Sequence, residues 1–284
     1  NAARTLRHCL ESIRNQDYPE EKIEIVIADG GSSDDTLEVA RGFGVDRVVE
    51  NPLKTGEAGK AVGVDAARNE ILTFIDSDNL LDRADWLRCM VAPFAEPDIV
   101  AAEPIEYTYR RTDPPITRYC ALMGMNDPLC FFIGNYDRLN RITGRWTELS
   151  IPVEDKGEYL KLRLDERHLP TIGANGFLVR RTPFLQTGYK PYLFDIDVVY
   201  DLIQEGYSNF AKVKVGIVHL YAEDGRACAR KQRRRVRDFL HYRSLKLRRY
   251  PWTEVSKSNL LKFILETLLV LPLLIQIVRG MARV

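Results

Sequence analysis

The sequence predicts an α/β fold with a mostly parallel central sheet, followed by basic and apolar helices. Three observations carry this. Helical and strand patterns alternate through the first eighty residues. Acidic or glycine-rich turns close the strand-like runs. The composition changes abruptly after Gly225. A chain of 284 residues can bury a core of normal size, as one large domain or two smaller ones. Hydrophobic residues make up 45% and charged residues 29%, as in ordinary folded proteins.

Each element follows in order. Residues 5–15 carry apolar side chains at Leu6, Cys9, Leu10 and Ile13, a helical spacing. Residues 22–28 contain IEIVIA, a β-branched run suited to a buried parallel strand. The turn DGGSSDDT follows, with Ser33 or Asp34 placed to cap a helix over 36–43. Residues 47–50 read as a second short strand, 59–69 as a small-residue helix and 71–75 as a third strand. That alternation means βαβ units, with ligands at the carboxyl ends of the strands. Residues 118–134 are apolar and aromatic, suited to a core helix or a lipid-facing one. Residues 171–181 read as a glycine-rich loop entering a strand, and 192–206 as an acidic turn before a helix.

The third strand ends in Asp76-Ser77-Asp78-Asn79. Two carboxylates two residues apart, just past a buried strand, project together into the ligand crevice. They suit Mg2+ or Mn2+ shared with phosphate oxygens. An isolated DxD is more often a solvated turn, so its surroundings decide. Five cysteines, odd in number and never in a CxxC pair, argue against a disulfide framework or a zinc site and for a reducing compartment.

The surroundings are informative. NAARTLRHCLESIRNQDYP, DGGSSDDT, GKAVGVDAARNEILTFIDSDN, GANGFLVRR and FDID occur in this order, and from Asn1 to about Arg235 the chain resembles family-2 glycosyltransferases of the GT-A fold. The resemblance implies that Asp29 hydrogen-bonds the nucleobase. It puts Asp76 towards the ribose and Asp78 on a divalent metal bridging the diphosphate, and makes Lys60 a residue facing the donor phosphates. Metal and lysine would together neutralise the charge on the departing nucleoside diphosphate. It also implies an inverting single displacement, with the acceptor's proton taken by a carboxylate in an acidic turn. Counting back from Gly206 gives Asp195 for that base, with Asp197 as the alternative. Phe194 stands where the family has glutamate, a departure that touches the acceptor contacts. Both aspartates also suit a simple helix-capping role. The loop 173–176 would floor the site between donor and acceptor, its glycines allowing close approach. Family members open with a strand ending in a Pro-Thr-x-Asn-like turn. Here only Asn1 of that turn is present, so the first strand is expected to have been left out and the N-terminus trimmed; no signal-peptide pattern occurs.

Two features remain. His219 follows a strand-like run, where in some relatives the resemblance implies a histidine that completes the metal site, though a lone histidine is more often structural. Residues 232–235 read QRRR and resemble the QxxR part of the QxxRW motif of membrane-bound polysaccharide synthases, which assigns Gln232 and Arg235 to the donor. Val236 replaces the tryptophan, which weakens any reading of processive synthesis. Between Arg226 and Arg249 there are eleven Lys or Arg and one acid, Asp238. Aromatic stacking residues are sparse there, so anionic lipid fits better than nucleic acid. Residues 259–278 are apolar but contain Lys262, Glu266, Pro272 and Gln276. An interfacial helix is favoured over a marginal span or a buried core helix. Lys262 and Glu266, one turn apart, are expected to pair.

The resulting expectation is a GT-A domain over residues 1–225 and membrane-associating helices over 226–284. The chain would transfer a sugar from a UDP- or GDP-sugar, with Mn2+ or Mg2+, to a lipid-linked or glycan acceptor at the cytoplasmic face of a membrane. Two alternatives stay open: a sugar nucleotidyltransferase, and a non-catalytic membrane-binding module.

Overall fold

The computed structural model describes residues 1–251 and 257–269, together with Leu274 and Val278. The first half alternates as expected: α1 (Ala3–Arg14), β1 (Val26–Asp29), α2 (Thr36–Gly42), β2 (Arg47–Glu50), α3 (Gly56–Ala66) and β3 (Ile71–Phe74). Leu6, Cys9 and Leu10 of α1 are buried, and Leu6 and Leu10 pack with Ile25, Val39 and Ala40, so the apolar stripe read from the sequence does face the core. Asp34 accepts from the backbone N–H of Thr36 at 3.2 Å at the start of α2. Then come β4 (Asn79–Leu80), α4 (Trp86–Val91), β5 (Ala101–Tyr107), α5 (Pro115–Met123) and α6 (Leu129–Ile133). The remainder is β6 (Val153–Asp155), β7 (Tyr159–Arg163), β8 (Phe177–Arg180), α7 (Arg181–Phe184), α8 (Asp195–Gln204), β9 (Asn209–His219), α9 (Gly225–Ser244) and α10 (Lys257–Leu268).

The α/β class and the C-terminal helices are as expected, but the sheet pairing is mixed rather than mostly parallel. β1 and β2 form a parallel two-stranded sheet of their own. The larger sheet has seven strands in the order β3-β8-β5-β9-β7-β6, with β4 paired to β9. In it β5 and β9 run parallel, while the other ladders are antiparallel. For one pair the cause is local: only residues 156–158 join β6 to β7, too short for the crossover that a parallel pair needs. The other antiparallel ladders join strands far apart in the chain.

The apolar stretch 118–134 is two short helices, broken at Gly124 with φ +64°. A Cβ there would collide with the Arg138 carbonyl, so only glycine makes this turn. Cys120, Ala121, Met123 and Met125 are buried, which makes α5 a core helix. All five thiols are free. No described helix is long and apolar enough to cross a membrane. α10 packs against α6 with Phe263 on Phe132, ring centroids 5.2 Å apart, and Lys262 pairs with Glu266 at 3.8 Å. Pro272 and Gln276 lie outside the described residues.

Candidate active site

β3 ends at Phe74, and the chain turns through Asp76 and Asp78 into β4. Asn79, fully buried, shapes the turn. Its side-chain oxygen accepts from the Asp76 N–H at 3.0 Å, and its own N–H donates to the Asp76 carbonyl at 2.8 Å. The β4–β9 ladder sets Asn79 opposite His219, so the acidic turn meets the end of β9. There His219 Nε2 lies 3.6 Å from Asp78 Oδ1, and Lys231 Nζ of α9 lies 3.3 Å from Asp78 Oδ2. Burial alone would raise the Asp78 carboxyl. The hydrogen bond and charge of His219, and then those of Lys231, outweigh it and hold Asp78 at about 2. Asp78 is therefore an anion at neutral pH.

Lys60 joins this turn to the base candidate. Thr55 caps α3 by accepting from the Ala58 N–H at 3.2 Å, which fixes the helix that carries Lys60. The Leu193 N–H donates to the Glu57 carbonyl at 3.0 Å and ties the loop before α8 to the same helix. As a result Lys60 Nζ lies 2.9 Å from Asp195 Oδ1 and 3.9 Å from Asp76 Oδ1. Burial pushes Asp195 above the ordinary carboxylate range, and the charge and hydrogen bond of Lys60 pull it part of the way back. For Lys60 burial acts downward, yet Asp195 and Asp76 hold it above the usual lysine value. Asp76 thus faces Lys60 rather than the Asp78–His219 pair.

Asp197 has a different place. It is fully buried, takes a bidentate contact from Arg248 (Nε at 3.0 Å, Nη2 at 2.7 Å), and accepts the Arg249 N–H at 2.8 Å. With both oxygens engaged it cannot take a proton from an acceptor without losing these bonds. Neither aspartate caps α8, whose N-cap residue is Phe194. Phe194, in place of the expected glutamate, packs against Tyr242 of α9 with centroids 4.9 Å apart.

The glycine-rich loop closes the site from below. Gly173 has φ +123°, and a Cβ there would fall 2.9 Å from the Asp195 carbonyl oxygen. The loop thus presses directly on the start of α8, which only glycine permits. Four buried charges brace it. Glu103 accepts the Gly173 N–H at 3.0 Å, and Arg138 donates to the carbonyls of Ala174 at 3.0 Å and Asn175 at 3.2 Å. Glu103 also contacts Arg138 and Lys212, and Arg138 contacts Asp137. Asn175 accepts from Asn79 at 3.1 Å, linking loop and acidic turn.

Asp29 lies apart from these groups, at the end of β1. Its carboxylate accepts the N–H groups of Gly31 at 2.8 Å and Ser32 at 3.0 Å, and hydrogen bonds from Ser32 hold it below the ordinary range. It borders a cavity of about 370 Å³ lined also by Leu37, Val48, Val49, Glu50, Asn51 and Lys54. Partly apolar walls with polar groups at the edge suit a flat heterocycle. Asn1 is tied to the neighbouring turn by accepting the Ser33 N–H at 2.7 Å.

Of the residues expected to touch the donor through α9, Gln232 is spent on protein contacts, donating to the Asn126 carbonyl and, at 3.1 Å, to the Tyr221 hydroxyl. Arg235 lies over the Tyr221 ring at 5.4 Å. Lys231, Asn126, Glu103, Arg138, Lys212 and Arg248 were not legible as site residues. Each acts by a contact far along the chain, and no local pattern marks it.

The groups present fit a divalent cation. Among the described residues no three His, Cys, Asp or Glu side chains form a ready-made cluster. Asp78 and His219 supply an oxygen and a nitrogen, a pair suited to Mn2+ with phosphate and water completing the shell. One orphan atom supports this. Asn126 Nδ2 lies 3.2 Å from His219 Nδ1, while Asn126 Oδ1 is buried without a partner. A half-turn of that amide would let Oδ1 accept from Nδ1–H, so that Nε2, on giving up the proton it shares with Asp78, could ligate a cation beside that carboxylate, the arrangement usual for a ligating histidine.

Known proteins bear on these groups as follows. The family model for glycosyl transferase family 2 matches residues 1–184, which include Asp29, Lys60, Asp76, Asp78 and the loop 173–176 but not Asp195 or His219. The chain is 28% identical over 132 residues to glycosyltransferase AglE of Haloferax volcanii, taking in 44% of this chain and 43% of that protein. It is 29% identical over 118 residues to glycosyltransferase GlyG of Streptococcus pneumoniae, 40% of this chain and 38% of that one. The chain thus spans less than half the length of these curated relatives. Among solved structures it is similar to the mannosyltransferase PcManGT from Pyrobaculum calidifontis, determined with GDP-Man and Mn2+, at 18% identity and TM-score 0.49, over 78% of this chain and 55% of that one.

Proposed function

The chain belongs to glycosyl transferase family 2 and has its GT-A fold, and from that premise we propose that it carries out an inverting transfer of a sugar from a UDP- or GDP-sugar. The observation that carries this is Lys60, which reaches both Asp76 of the acidic turn and Asp195 at the start of α8. A donor-binding carboxylate and a general base 119 residues later in the chain are thereby within the span of one side chain.

In this reading Asp29 binds the nucleobase in the adjoining cavity, and Asp76 faces the ribose. Asp78 and His219 hold Mn2+ or Mg2+. Such a cation, when bound, would offset the charge on the departing diphosphate. Asp195 takes the proton of the attacking hydroxyl, and Lys60 keeps it ionised until then. The loop 173–176 fixes the backbone between donor and acceptor. Residues 1–225 form the catalytic part.

The acceptor is a lipid-linked chain or a glycan, met at the cytoplasmic face of a membrane by residues 226–284. Supporting this, Arg230, Arg233 and Arg237 recur at helical spacing on exposed positions of α9, and Val236, Leu240, Leu261 and Leu268 are exposed beside them in sequence or on α10. Vesicle sedimentation checks it. The protein is expected to bind phosphatidylserine vesicles over zwitterionic ones. At about 1 kcal/mol per basic residue, replacing the three arginines by alanine should weaken binding by about 10²-fold. Equal binding to both vesicle types would leave the membrane assignment without support.

The donor site is tested by thermal stabilisation with UDP and with GDP, each with and without Mn2+. One nucleotide is expected to stabilise the protein, by about 2.7 kcal/mol at a hundredfold excess over Kd, only with the metal present. Asp78→Ala should abolish the effect. Stabilisation that persists in Asp78→Ala would remove Asp78 from the donor site.

A further inference from the structure

α9 starts at Gly225, with Asp224 as N-cap accepting the Ala227 N–H at 2.7 Å. Its first turns therefore have a fixed position over Tyr221. Lys231, Gln232 and Arg235 share the face turned to that ring. Gln232 is held by Asn126 and Tyr221, and Arg235 is an exposed residue resting on the ring. Lys231 is the one of the three that reaches the acidic turn. Its ammonium lies 3.3 Å from Asp78 Oδ2 and 4.8 Å from the Tyr221 centroid, with a third of the side chain still open to solvent.

Each of these cleft carboxylates has a nitrogen group beside it. Lys60 serves Asp195 and Asp76, and Lys231 serves Asp78, whose other oxygen faces His219. The diphosphate of a nucleotide-sugar brings negative charge and a divalent cation brings positive charge, so the loaded cleft offers Asp78 a second cation and Lys231 a second anion. A divalent ion and an ammonium on one carboxylate repel each other. Lysine is suited to the exchange. It is a compact charge with three rotatable donors on a flexible stem, a point-charge binder of phosphate. The Tyr221 face can hold the cation while it moves.

We propose that Lys231 is a phosphate ligand for the donor, stored on Asp78 in the empty enzyme and displaced onto the diphosphate when a divalent cation takes that carboxylate. This deepens the donor-site assignment above and rests on it. Lys231 then has two opposed effects, competing with the metal alone and assisting the metal–nucleotide complex. A merely structural lysine would have neither.

Isothermal titration of the full chain separates the outcomes, with Mn2+ alone and then with UDP and GDP at saturating Mn2+. Removing a charge-assisted contact predicts that Lys231→Met binds Mn2+ alone about ten- to hundredfold more tightly than wild type, and the nucleotide with Mn2+ more weakly by a similar factor. Lys231→Arg should retain nucleotide binding within a few fold. Mn2+ affinity unchanged in Lys231→Met overturns the storage on Asp78, and unchanged nucleotide affinity overturns the phosphate contact. If wild type with Mn2+ binds neither nucleotide, the donor site itself falls and the phosphate role of Lys231 with it.

Discussion

A transfer rate lower by about 10²- to 10⁴-fold is the expected result of Asp195→Asn, with nucleotide binding unchanged. Asparagine keeps the shape of the side chain and an oxygen for Lys60 but cannot accept the acceptor's proton. Metal-dependent stabilisation by nucleotide should survive, which separates loss of the base from loss of the site. The pH profile supplies a second check. The carboxylate must be ionised to act, so activity is lost as pH falls through the Asp195 pKa. Burial raises that pKa above the ordinary value despite Lys60, so the acidic limb of the rate should lie above the usual carboxylate range. A variant as active as wild type would assign the base elsewhere.

Arg138→Met is expected to lower stability by about 3–5 kcal/mol. Methionine fills most of the space, but it leaves Glu103 and Asp137 buried with Lys212 as their remaining cation, and all of these side chains are nearly or fully inaccessible. The balance is already fine. Burial, opposed by Arg138, pushes the Asp137 carboxyl above the ordinary carboxylate range, and burial brings Lys212 down to about 8. The variant also removes the donors that hold the carbonyls of Ala174 and Asn175. Urea unfolding measures the change. A loss below about 1 kcal/mol would mean that the four charges contribute little as a set.

What the sequence conveyed and what it withheld have physical causes. Helices and strands of the first half were legible because each has one buried stripe and a turn of recognisable chemistry. β2 falls on residues 47–50 as read, and α3 begins three residues earlier than read because Thr55 caps it. The acidic turn, Lys60 and Asp195 were legible only as a set, through the order of motifs along the chain. Nothing local in the turn FDID distinguishes Asp195 from Asp197; Arg248, 51 residues on from Asp197, engages only the latter. The mixed sheet was missed because strand direction depends on partners chosen across the fold. The brace under the loop was missed because Glu103, Arg138 and Lys212 sit in otherwise unremarkable segments, where a charged residue normally signals solvent.

α9 touches both ends of the cleft. Lys231 meets Asp78 near its start, and Tyr242 packs on Tyr192 and Phe194, beside Asp195, near its end. Its other face carries arginines and exposed apolar side chains. Anything that grips this outer face and distinguishes the loaded cleft from the empty one is thermodynamically linked to donor binding. Reciprocity makes the two affinities change by one common factor, so occupancy of the cleft would be readable as affinity for the surface that α9 meets.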